Sequence, residues 1–111
     1  MISIVMEKAE GHYSRLSCLG HAGYADSGKD IVCAAASILV INTLNAIEKL
    51  ADTSFSVSTD KKDGRLEAEF PNNLNDKAVL LLDALAMGLT GIKEQYGKRY
   101  IRFQVKEVWS C

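Results

Sequence analysis

The chain has 111 residues, 48% of them apolar and 24% charged, and a formal net charge of −1. That length suits one domain, residues 1–111, with a single core. The near-neutral balance, with no basic run, gives no electrostatic basis for binding nucleic acid directly. MISIVMEKAE lacks the cationic start and long apolar run of a signal peptide. The apolar stretch IVCAAASILVI falls short of the roughly 20 residues that cross a bilayer, so no membrane partner is expected. Cys18, Cys33 and Cys111 are odd in number and form no CxxC pair. This argues against a disulfide framework and for a reducing, cytoplasmic setting.

In chain order, ISIVMEK alternates Ile2, Ile4 and Met6 with more polar residues and reads as a strand. Gly11-His12 predicts a turn, with YSRLSCLG as the second strand of a hairpin. A glycine-rich loop spans Gly20 to Lys29. Asp30 then begins a helix to about Ala51, and its first half is apolar on nearly every face. A helix apolar all round is covered on more than one side, which in so small a domain points to a second subunit. SFSVSTD and RLEAEF are short strands, and Asp63-Gly64 between them is a tight-hairpin signal. Pro71 stops the second of them. Asn75-Asp76 caps another helix, which Gly97 ends. Gly88 and Gly91 inside that helix suggest close packing rather than a hinge. YIRFQVKEVW is the last strand, with Ile101, Phe103 and Val105 on one face. The expected fold is α+β, ordered ββαββαβ, with a mainly antiparallel five-stranded sheet and two helices packed on one face.

Chemistry concentrates in GHAGYADSGKDIVCAAAS, Gly20 to Ser37. With Asp30 as N-cap, Cys33 lies in the first helical turn, where unpaired N–H groups favour a thiolate. The Asp30 charge opposes that, so the sign of the net shift is open at this level. His21 is twelve positions upstream, close enough along a flexible loop to fold back as the base of a Cys–His pair. The N–H groups at the helix start offer an oxyanion hole. The same residues permit a plain core cysteine and a loop histidine. A zinc site from His12, Cys18, His21 and Cys33 has suitable ligand types but no known spacing. The glycines match neither of the common phosphate-binding motifs.

This stretch resembles the signature of the ribosomal-processing cysteine protease family, Prp, and the resemblance extends over the whole chain in length and element order. It implies a bacterial cysteine endopeptidase that removes the N-terminal extension of the large-subunit ribosomal protein numbered twenty-seven. The family's catalytic dyad falls on His21 and Cys33, with Asp30 and Ser37 at supporting motif positions. The resemblance also implies a homodimer; no cofactor or metal is expected. Gly20, Gly23 and Gly28 are expected to act as hinges of a loop that closes on the peptide. The alternative is a non-catalytic dimeric binding module of ribosome assembly, in which the motif is structural.

Overall fold

The computed structural model describes residues 1–20, 27–60, 62–97 and 99–108, with backbone alone for 27–30. Its elements are β1 (Ile2–Ala9), β2 (His12–Leu19), α1 (Ser27–Leu50), β3 (Ser56–Asp60), β4 (Arg65–Glu69), α2 (Asp76–Tyr96) and β5 (Ile101–Val108). This is the expected ββαββαβ order. The strands form one sheet, β3-β4-β2-β1-β5. Its pairings are antiparallel except that of β1 with β5, which is parallel.

Side-chain alternation decides which face is covered. Thr59, Leu66, Cys18, Ile4 and Phe103 are successive partners across all five strands. Because the pleat has period two, these five lie on one face. Their neighbours Ser58, Glu67, Ser17, Val5 and Gln104 form the row on the other face. Ile2, Ile4, Met6, Leu16 and Ile101 are almost completely buried, together with Val32, Val40 and Ile47 of α1 and Leu82 and Leu89 of α2. Both helices therefore cover the same face, as expected. Tyr13 Oη donates to Asp83 Oδ1 at 2.6 Å, tying β2 to α2. Burial first, and then this carboxylate, push the Tyr13 phenol well above its ordinary range.

Local signals set most of the element ends. Asn75 accepts from the Ala78 N–H at 2.9 Å, and Gly97, at φ +84°, donates its N–H to the Lys93 carbonyl. Both caps of α2 are those read from the sequence. Gly88 is a close-packing glycine, since a Cβ there would come within 3.3 Å of Leu39 Cδ1 on α1. Gly91 has open space around it and no packing reason.

The two hairpins differ from expectation in detail. The β1–β2 turn is Glu10-Gly11, one residue earlier than predicted. Both residues have positive φ, +54° and +81°, as a type I′ turn requires. The β3–β4 connection is four residues long, because Asp60 pairs with Arg65. A two-residue turn at Asp63-Gly64 would instead set Lys62 opposite Arg65, and like charges directly opposed destabilise a strand pair.

The first helix departs furthest from expectation. It begins at Ser27, not after Asp30. Asp30 is its fourth residue and not the N-cap, and Gly28 lies in the helix rather than the loop. The helix therefore extends three residues further toward the N-terminus than the Asp30 signal indicates. The segment Ile31–Leu50 is also long and apolar enough to cross a membrane, against the shorter estimate from IVCAAASILVI. Here it is the central helix of the core, through Val32, Cys33, Ala36, Val40, Leu44 and Ile47. Its outer side still carries Ile31, Ile38 and Ile41, at 60%, 66% and 51% exposure.

Candidate active site

Cys33 is the seventh residue of α1, past the first turn. The helix macrodipole acts mainly within that turn, and in a regular helix the Cys33 N–H is already used by position 29. The helix start therefore gives this sulfur less help than the sequence suggested, and more depends on a neighbouring base. Cys33 is only 4% exposed, so its thiol is reached from a restricted direction. Ser37 follows it by one turn on the same side of α1, and Asp30 precedes it by one turn along the backbone.

Ser37 lines a cleft of about 280 Å³ where α1 passes over the β3–β4 half of the sheet. Val40 and Ile41 continue the helix wall, Thr59 and Leu66 form the strand wall, and Cys18 and Gly20 lie at the inner end. Cys33 is not part of the lining; it sits one turn above Ser37. Cys18 is the residue that the sequence undervalued. Burial, and next the nearby Cys33 sulfur, push its thiol up to about 11. Cys18 thus stays neutral at physiological pH. The signal was available: Cys18 alternates with Leu16 on the inward side of β2.

The remaining candidates separate. His12 is exposed at the far end of β2, about 20 Å from Cys18 by strand rise, so it does not join the two thiols. Among the described residues, no group of three or more His, Cys, Asp or Glu side chains could hold a metal. His21 and Gly23 lie outside the described residues, and so does the expected movement of their loop.

Gly20 has a packing reason to be glycine. A Cβ there would stand 2.8 Å from Ile2 Cγ1 and 3.0 Å from Ile2 Cα. Its N–H donates to the Gly64 carbonyl at 3.1 Å, fixing the end of β2 to the β3–β4 hairpin. Gly20→Ala is therefore expected to lose stability, by about 1–3 kcal/mol, the usual cost of overpacking. Urea denaturation measures this; an unchanged midpoint would mean that β1 yields freely at Ile2.

Residues 1–102 match the family model described as Cysteine protease Prp. The chain belongs to the cysteine protease Prp family. The Ribosomal processing cysteine protease Prp of Staphylococcus aureus (strain Mu50 / ATCC 700699) is 32% identical over 97 residues, covering 87% of this chain and 91% of that one. A crystal structure of the S. aureus Prp in complex with a substrate peptide is similar with a TM-score of 0.85 and 28% identity, over 96% of this chain and 100% of that one. A second S. aureus Prp structure, with a covalently linked product peptide, has a TM-score of 0.81 and 31% identity, again over 96% and 100%. As a Prp member the chain is a cysteine protease, and the reading as a non-catalytic module is set aside.

Proposed function

We propose that the chain is an endopeptidase that trims the N-terminal extension of the large-subunit ribosomal protein numbered twenty-seven, with Cys33 as nucleophile and His21 as base. The observation that carries this is Cys33 itself, one helical turn from a cleft, in a fold whose S. aureus relative holds a covalently linked product peptide. His21 takes the Cys33 thiol proton as Sγ bonds to the scissile carbonyl carbon. The tetrahedral intermediate then collapses, and the new amine leaves with the proton from His21. Water, deprotonated by the same imidazole, releases the acyl group and restores the thiol. Asp30 and Ser37, one turn to either side of Cys33, support the arrangement. Gly23, two residues after His21, is the hinge that we assign to its loop, whereas Gly20 is held by Ile2 and the Gly64 carbonyl. Incubating the purified chain with the extended ribosomal protein and weighing the products tests this: expected are two fragments split at the extension boundary, and an uncut substrate would refute it.

The reading includes a cytoplasmic homodimer. Cytoplasm is where ribosomal proteins are made and where a reactive thiol stays reduced. The dimer is supported by the Ile31, Ile38 and Ile41 stripe, which leaves large apolar side chains in water along one side of α1. Ile38→Asp is expected to turn the dimer into a monomer in light scattering at micromolar concentration. A wild-type chain that is already monomeric there would remove the dimer from the proposal.

A further inference from the structure

We infer that Cys18 and Cys33 join in a reversible disulfide on exposure to peroxide, which switches the protease off and protects its nucleophile. The effect on activity rests on the proposed role of Cys33, whereas the bond itself is read without substrate. Both cysteines are free and buried, and both belong to the core cluster between α1 and the sheet. Cys18 is the middle member of the row Thr59–Leu66–Cys18–Ile4–Phe103 on the covered face. Cys33 lies on the buried side of α1 with Ala36 and Val40. Ser37, one turn from Cys33, lines the same cleft as Cys18. Ala36 puts little bulk between α1 and the sheet at this level, which favours the short Cα separation of a disulfide, about 4.4–6.8 Å.

The Cys33 thiol takes one oxygen from hydrogen peroxide: the O–O bond breaks, Sγ becomes a sulfenic acid and water leaves. Cys18 Sγ then bonds to Cys33 Sγ; the S–O bond breaks, and its oxygen leaves with the Cys18 proton as a second water. Burial and the nearby Cys33 charge push the Cys18 thiol up to about 11, so Cys33, whose proton His21 takes, reacts with peroxide first. The part of that rise due to charge is gone once Cys33 is a protonated sulfenic acid, and Cys18 then becomes the better nucleophile. A dithiol that enters by the cleft, where Cys18 forms the inner end, reverses the bond in two exchange steps. In a reducing compartment the bond is therefore transient and serves regulation rather than stability.

The test uses the full chain with Cys111→Ser, which leaves Cys18 and Cys33 as its only thiols. It is treated with hydrogen peroxide and mapped by mass spectrometry without reduction; trypsin cuts between the two cysteines, so a bond shows as a joined peptide pair. Expected are that pair, a fall of about tenfold or more in cleavage of the extended ribosomal protein, and a return to within about twofold of the untreated rate after dithiothreitol. In Cys18→Ala, Cys33 has no resolving thiol and runs on to sulfinic acid. Referred to its own untreated rate, that variant is expected to regain about tenfold less activity with dithiothreitol than its parent does. Cys18→Val, which fills the space with an apolar side chain, should give the same irreversible loss. Peroxide that leaves no Cys18–Cys33 pair, or Cys18 variants that recover as fully as the parent, overturns the switch and leaves the Cys33 assignment standing. A pair formed in full with cleavage unchanged overturns the Cys33 assignment, and the switch with it.

Discussion

Cys33→Ala is expected to abolish peptide cleavage while the fold survives. Alanine is the best helix former, and Cys33 is well inside α1. Deleting one buried sulfur removes about as much contact as a methylene, a cost of about 1 kcal/mol, which a domain of this size can absorb. Activity has no such tolerance, because without the sulfur no acyl-enzyme forms. Cys33→Ser should be nearly as inactive, since a hydroxyl at this position is a far poorer nucleophile without a stronger base. Neighbouring Cys18 does not substitute for the lost group: with its thiol pushed up to about 11, it carries almost no thiolate at neutral pH. Product mass after overnight incubation is the measurement, and turnover by purified Cys33→Ala would remove this residue from the mechanism.

His21→Ala is expected to lower kcat by about 10²–10⁴-fold, the range that a positioned general acid–base supplies. The position of Cys33 beyond the first helical turn makes this loss larger than a helix-end thiolate would show, because the macrodipole contributes little there. A single-turnover assay with excess enzyme isolates the acylation step. Added imidazole should restore part of the His21→Ala rate and none of the Cys33→Ala rate. An unchanged kcat in His21→Ala would point to another base.

Features set by neighbouring residues were legible in the sequence. The caps at Asn75 and Gly97 depend on a few atoms of adjacent backbone, so local residue types announce both. The inward alternation of β1 and the packing role of Gly88 came from the same kind of local pattern. Competing signals were harder. Asp30 carries a helix-start signal, but α1 begins at Ser27, which sets Cys33 a full turn deeper and weakens the dipole's help. Asp63-Gly64 signals a tight hairpin, but the pairing of Asp60 with Arg65 makes the connection four residues long. Non-local facts were not legible at all. No pattern in YIRFQVKEVW says that it lies beside β1, and the cleft depends on how α1 crosses strands that follow it in the chain. The steric need for glycine at position 20 depends likewise on Ile2, eighteen residues earlier and on another strand. The motif was legible by its resemblance to a family, whereas spacing alone left a catalytic pair and a plain core cysteine both open.

The parallel pairing of β1 with β5 sets Ile2 against Ile101, so the inner strand of the sheet is completed by a partner from the opposite end of the sequence. Such a contact closes a loop of nearly the full chain, and contacts of long sequence separation slow folding. During synthesis β1 and β2 can form their hairpin early, but β1 keeps one edge of bare N–H and C=O groups until β5 has emerged. That edge is able to pair with other chains. The nascent polypeptide therefore has a long interval in which association competes with completion of the sheet, and the arrival of β5 decides which of the two prevails.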